Sequence, residues 1–440
     1  MTKLTNEDFM KNVNDMTPQE LASYRDEHRF DEAERVMGKA AADALRKLYD
    51  FYGKDWLDWL ASLYDAETGA FYFAPSGRDN EQFRPDCEST YQAFTLISFF
   101  GLLDFYDGDY VKAYPVKTRD NCLKFIKSLQ SDVDGYFYHP QWGTDIGTWR
   151  RGRDLNSCID LITRFGDTPF YPTALERLSG TEESRMNLPE HLLSREAMLK
   201  YLDELDIRKN SYMFGHTLSS QSSQIKAAGL AEVVCDYINE HQYPDTGLWE
   251  SELDYRTFSG VLKLGTTLTS LDDYIRYSDK IIDRATEVIM SDEPPRYITY
   301  VYNPWGAFSH AINAAKRIES DALSRGETPT FSVKEIREKI YARLPELIDK
   351  TIEKLAKFSK PGGSFSYDPH HSQPTTQGVP VSLGIFEGDV NGLACAMHYP
   401  MRGMFNVLGM SPIPMGNNED FLKFRAKIEA AHKAYEEANK

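Results

Sequence analysis

Glu387, Asp389 and Asn391 alternate along "SLGIFEGDVNGLACAMHYPMRG" (382–403), just ahead of an apolar run, and Gly388 and Gly392 loosen the backbone between them. Two carboxylates in one cleft can be driven to different proton affinities, one kept protonated as an acid and one ionised. The same residue types suit a helix start, since Asp and Asn cap N-termini and acids favour the positive helix end. One cap is needed and three polar residues are present. Glu387 and Asp389 are therefore the first candidates for an acid/base pair, with Asn391 as a ligand contact. On this reading Glu387→Gln abolishes turnover and leaves the fold intact.

Other segments offer partners for that chemistry. In "RPDCESTYQAFTLISFFGLL" (84–103), Asp86 and Glu88 head an apolar helix, as a cap and first-turn acid or as cavity acids. "TWRRGRDLNSCIDL" (148–161) sets Arg150, Arg151, Arg153, Asp154 and Asn156 at another helix start. Arginine forks suit a carboxylate or phosphate, although they also pair with nearby Asp. "SYDPHHSQ" (366–373) brings His370 and His371 as ligand contacts or proton carriers. Adjacent residues in an extended loop point apart, so no shared metal is expected. Tyr302 and Trp305 in "YVYNPWGAF" would stack on a sugar ring or pack in the core. Arg256 heads a further helix, His216, Lys263 and His310 join the polar set expected to gather at the same end, and His398 reads as a core histidine.

These residues need a scaffold that gathers helix starts at one end. Three-four spacing of apolar residues dominates, as in "AADALRKLYDFYGKDWLDWLASLY", and long alternating strand patterns are missing, so the chain reads as all-α. A longer repeat lies on top. "LYDAETGAFYF" (63–73), "LQSDVDGYFYH" (129–139), "YPDTGLWESEL" (243–253) and "SKPGGSFSYDP" (359–369) each follow a helix, turn at a glycine, continue with aromatics and lead into another helix. The turn glycines are 69, 135, 247 and 363, with Gly306 as a weaker fifth, about 59 residues per step. Six helix–loop–helix units result, the third (roughly 187–229) without a clear Gly-aromatic turn. Residues 1–38 read as a helical extension, 39–440 as one (α/α)6 domain, and 417–438 as its closing outer helix.

The turns "FIKSLQSDVDGYFYHPQWG" (125–143) and "YINEHQYPDTGLWE" (237–250) resemble repeats of the terpenoid cyclase and protein prenyltransferase α/α-toroid superfamily. The resemblance implies a barrel of six hairpins, an architecture shared with many glycosidases and polysaccharide lyases. It implies no single chemistry. The cyclases' Asp-x-Asp-Asp box is matched only by "DVDG" (132–135) and "DVNG" (389–392), both lacking the last acid. The prenyltransferase zinc stretch is echoed by "GRDNEQFRPDC" (77–87), where Asp86 and Cys87 are adjacent instead of separated by one residue. No metal and no cofactor are expected, and no nucleotide-binding fingerprint is present.

Charge and composition bound the rest. Fifty Lys and Arg against 67 Asp and Glu leave −17, which disfavours nucleic acid or an anionic membrane as partner. The longest uncharged stretch, Ser89 to Leu103, is shorter than the about 20 residues a bilayer span needs. "MTKLTNEDFMKNV" lacks a signal-peptide core. Five scattered cysteines read as reduced, packed thiols, and the expected location is cytoplasmic. The reading that joins these features is a carbohydrate-active enzyme, a glycoside hydrolase or lyase acting on an oligosaccharide. If that ligand holds uronic acid, Arg150, Arg151 and Arg153 are the carboxylate binders. An isoprenoid cyclase-like enzyme and a non-catalytic toroidal binding protein are the alternatives.

Overall fold

The computed structural model describes Thr17 and residues 27–440. Most of the expected extension at 1–38 lies outside the described residues. What is seen of it ends in helix α1 (Asp31–Met37), separated from α2 (Lys39–Tyr52) by Gly38 at φ +85°. The apolar run that follows α2 is not one helix. Gly53 at φ +60° breaks it, and α3 (Trp56–Ser62) resumes it.

The remaining longer helices are α4 (Cys87–Phe99), α5 (Val116–Ser128), α6 (Thr148–Arg164), α7 (Arg195–Leu205), α8 (Ser211–Ala227) and α9 (Ala231–Glu240). They continue as α10 (Tyr255–Ser270), α11 (Ser278–Met290), α12 (Thr299–Ser324), α13 (Val333–Leu355), α14 (Val390–Ala396), α15 (His398–Leu408) and α16 (Asn418–Ala438). Strand structure among the described residues is confined to three two-residue ribbons: β1–β2 (Tyr64–Asp65 with Ala70–Phe71), β3–β4 (Ser359–Lys360 with Ser364–Phe365) and β5–β6 (Thr375–Thr376 with Val379–Pro380). The all-α expectation holds.

Alternate helices pack on one another in chain order. α4 packs on α6, α6 on α8, α8 on α10, α10 on α12 and α12 on α15. α14 then contacts both α15 and α4, so the contacts return to where they began. These neighbours run parallel, because their registers advance together. Gly260 abuts Ser211 and Gly215 abuts Lys263, while Gly306 abuts Leu262 and Gly265 abuts His310. Glycine at these points lets helix backbones approach where a Cβ would collide. The other helices cover this set from outside: α5 lies on α6, α11 on α12, α13 on α2, and α16 on α3.

The repeat glycines explain how one unit grips the next. Gly69, Gly135, Gly247 and Gly363 all sit at positive φ, between +68° and +75°. A Cβ on Gly69 would meet the Cys122 nitrogen at 2.6 Å, and one on Gly363 the Trp56 nitrogen at 2.7 Å. Each turn is thus seated on the backbone of a neighbouring outer segment, and the turn at 363 is seated on α3, the first of them. Gly306 is a correction. It lies inside α12, and the turn before that helix is the stretch 291–298. Pro304 sits early in α12, and Gly306 is small because Leu262 would touch a Cβ at 2.5 Å. The third unit turns instead on Asp206, left-handed at φ 49° after α7.

The cysteine expectation also needs correction. Cys122, Cys235 and Cys395 are buried free thiols, but Cys87 and Cys158 are paired as a disulfide joining α4 to α6. Among the described residues, no helix is long and apolar enough to cross a membrane.

Gly135→Ala should lower the unfolding free energy by about 2–3 kcal/mol, since it adds left-handed strain to a clash with the Pro172 carbonyl. Gly326→Ala, at φ +72° with open space around it, should lose only about 1 kcal/mol. Denaturant unfolding of both variants checks the contrast.

Candidate active site

The parallel helices enclose a cavity of about 820 Å³. Each wall helix contributes a stripe at helical spacing. α6 supplies Arg153, Asn156, Ser157 and Asp160, and α12 supplies Thr299, Tyr302, Gly306, Ser309, His310 and Asn313. The α12 stripe alone runs from Thr299 to Asn313, about 21 Å of rise. Tyrosine, serine, threonine, asparagine and glutamine dominate the lining, with Arg153, Lys263 and Arg402 as cations and Glu88 and Asp160 as acids. Tyr302 and Tyr399 face each other with ring centroids 5.3 Å apart.

At the N-terminal end of the cavity stands a buried ion-pair network. Arg150, fully buried, reaches Glu88 at 3.0 Å, Asp86 at 3.2 Å and Asp154 at 2.9 Å, and its guanidinium lies 4.4 Å from the Trp142 ring centroid. Asp86 also caps α4, accepting from the Ser89 amide at 3.0 Å. Burial pushes the Asp154 carboxyl up to about 7, against the pull of Arg150. Glu88 is shared. One oxygen takes Arg150, the other pairs with Arg153, and this second pair lies on the cavity wall. The Gln377 side chain closes the group, with its amide assigned so that nitrogen donates to Glu88 at 2.8 Å and oxygen accepts from Arg153 at 3.2 Å. The β5–β6 ribbon that carries Gln377 is held by Trp149 donating to the Gln377 carbonyl and Trp142 donating to the Pro380 carbonyl.

The sequence candidates divide into two groups. Glu88, Arg153, Asn156, Tyr302 and Asn391 line the cavity. Asn391 joins Gln92 (3.2 Å) to Gln373 (2.9 Å), both also on the wall. Asp86, Arg150 and Asp154 lie behind that wall. Arg151 faces the other way, over the Tyr136 and Tyr138 rings. Trp305 is core, donating to Thr351 between α12 and α13. Arg256 is ion-paired to Glu250 at 2.6 Å and is not on the cavity wall. His370 is exposed, and His371 turns to the Ser372 carbonyl at 2.8 Å, so neither reaches the cavity.

Glu387 and Asp389 do not reach it either. Glu387 accepts from the Ser76 amide and from the Ser76 and Ser372 hydroxyls, pinning two loops together. Asp389, wholly buried, caps α14 through Gly392 at 2.6 Å and accepts from the Tyr367 and Gln373 amides. Gly388 and Gly392 are small because strand β4 and Ser366 press against them. Of the three alternating polar residues, only Asn391 faces the cavity.

Tyr212 and Tyr399 are lining residues that the motifs did not single out, while Lys263, His216 and His310 belong to the polar set expected at the cavity and do line it. None of the five was given a chemical role, because a lone polar residue within a helix gives no local signal of its chemistry. What the sequence did carry is a polar face, "HTLSSQSSQ", in a helix that must be covered on its other sides. Burial, then Lys263 and Arg153, push the His216 imidazole down to about 2, so it is neutral. His398, also buried, is pushed down to about 3 by burial first and Arg402 second, and packs against Phe99. Among the described residues, no group of three or more His, Cys, Asp and Glu is arranged to hold a metal ion. No family model, no curated protein and no solved structure matches the chain.

Removing Arg150 strands Asp86 and Asp154 and leaves Glu88 to Arg153 alone. Arg150→Met should therefore lose about 3–5 kcal/mol at pH 7, and the deficit should shrink as the pH falls below 7 and the Asp154 carboxyl takes up its proton. Asp389 provides a second pH readout. Burial pushes its carboxyl up to about 7, against the three amides, from about 3.9 in an unfolded chain. A carboxyl raised on folding adds stability below about pH 4 and loses it as the pH rises through 7. Asp389→Asn should accordingly show a shallower fall in unfolding free energy between pH 4 and pH 7 than the wild type.

Proposed function

We propose that this chain is an (α/α)6 toroid and a carbohydrate-active enzyme, a glycoside hydrolase or lyase that takes an oligosaccharide into its central cavity. The order of helix contacts, returning from α14 to α4, supports six hairpins with inner helices as the wall. The observation that carries the function is the lining: stripes of hydroxyl, amide and tyrosine groups run the depth of the cavity to an Arg-paired Glu88. Such groups match a ligand covered in hydroxyls, with tyrosine rings giving apolar faces and polar tips.

Glu88 is the reacting carboxylate in this reading, and Arg153 holds its orientation. The acid/base role first considered for Glu387 and Asp389 passes to it because neither of them lines the cavity and Glu88 does. Asp160, the other acid on the wall, lies two turns further along α6 than Arg153 and pairs with Arg164 at 2.5 Å. An isoprenoid cyclase is the weaker reading, because its chain would need an apolar wall. The two remnants of its acid box are a turn at Gly135 and the cap of α14. A cytoplasmic location suits an oligosaccharide that has already been imported.

Glu88→Gln should reduce turnover of oligosaccharides at least about 100-fold, with the fold retained by circular dichroism. Glu387→Gln should leave turnover within about threefold while lowering the melting temperature. Equal turnover in wild type and Glu88→Gln would overturn the assignment. Ultraviolet absorbance from a newly formed unsaturated uronic acid separates elimination from hydrolysis.

A further inference from the structure

Lys263 lies midway along α10, and the part of its side chain that is accessible faces the cavity. Among the described residues no carboxylate lies within ion-pairing distance of it, and its ammonium stands over the Tyr212 ring, 5.8 Å from the centroid. Its neighbours on the wall are Arg153, whose charge is already met by Glu88, and neutral His216 on the adjoining helix α8, whose ring stacks on Tyr212. The His216 Nδ1 is buried and has no partner within the protein.

An ammonium half-buried in a cavity wall without a counter-charge is poorly stabilised. Burial pushes this one down to about 8, helped by Arg153. Ordinary packing does not call for it, since the apolar stem alone would fill the wall. A chain of net charge −17 has no general attraction for anions. A local cation is therefore what would admit one.

We infer that Lys263, with Arg153 and the imidazole of His216 beside it, forms a subsite for the carboxylate of a uronic acid residue. This rests on the oligosaccharide reading and narrows it to acidic sugars. The ammonium supplies the counter-charge, the guanidinium edge left by Glu88 supplies a second donor, and His216 supplies a neutral hydrogen-bonding ring. Neutral sugars are rejected because they would leave Lys263 desolvated and unpaired, the kind of mismatch that discriminates strongly in a buried polar site. The assignment moves carboxylate recognition away from Arg150 and Arg151, which face the ion-pair core and the outer rings.

The test uses D-glucuronate and D-galacturonate against their uncharged amides, with binding read by calorimetry and thermal shift on the full chain. The wild type should bind at least one uronate ten or more times tighter than its amide. Lys263→Met should lose at least tenfold of that affinity, and Lys263→Arg should keep it within about threefold. The arginine variant guards against a merely structural effect, as does the melting temperature of Lys263→Met without ligand. Equal affinity for acid and amide, or undiminished uronate binding in Lys263→Met, overturns the subsite. If neutral oligosaccharides are then turned over and Glu88→Gln abolishes it, the enzyme reading stands without the subsite. If neither acids nor amides bind and no oligosaccharide is turned over, both fall.

Discussion

Arg150 is the charge on which the wall of the cavity depends. It is fully buried and meets Asp86, Glu88 and Asp154, three carboxylates from two neighbouring helices. Without it, the start of α4 and the first turns of α6 would repel each other. With it, both backbones come close enough for Cys87, between Asp86 and Glu88, to pair with Cys158, one turn past Asp154. The network is therefore buried at its centre and open to the cavity at its edge. Glu88 joins the two, holding Arg150 with one oxygen and presenting the other to Arg153 at the cavity surface.

A second layer of fixation comes from loops. Glu387 ties the segment after β6 to the Ser76 turn, while Asp389 ties β4 and the start of α14. Together with Trp142 and Trp149 they hold the stretch that carries Tyr367, Gln373 and Gln377. Those three line the cavity without belonging to any of the wall helices. Acidic residues that look catalytic in the sequence thus act at a distance from the cavity, by fixing the loop that lines its Glu88 end.

This division accounts for what the sequence disclosed. Helix type was legible because apolar residues recur at helical spacing, and the unit length was legible because Gly69, Gly135, Gly247 and Gly363 must each adopt a left-handed turn against a neighbouring backbone. Gly306 misled because close helix packing and tight turns both demand glycine. Asp86, Glu88 and the 150–156 segment were rightly gathered at one end, but which side of the wall each faces is set by rotation of α6: four residues apart, Arg150 and Asp154 point into the protein, and Arg153 and Asn156 point into the cavity. Lys263 and His216 were placed in the polar set but given no role, because a single polar residue in a helix says nothing of its chemistry until the other helices show what it faces.

The parallel run of the wall helices has an electrical consequence. A helix carries a partial positive charge at its N-terminus and a negative one at its C-terminus, and antiparallel bundles cancel these fields. Here neighbouring wall helices point the same way, as the matched registers of α8, α10, α12 and α15 require. Their dipoles add along the cavity axis instead of cancelling. The polar interior is thus a polarised tube, positive toward Glu88 and Arg153 and negative toward Asn313 and Asn406. A molecule charged at one end would lie in it in a single orientation before any side chain made contact.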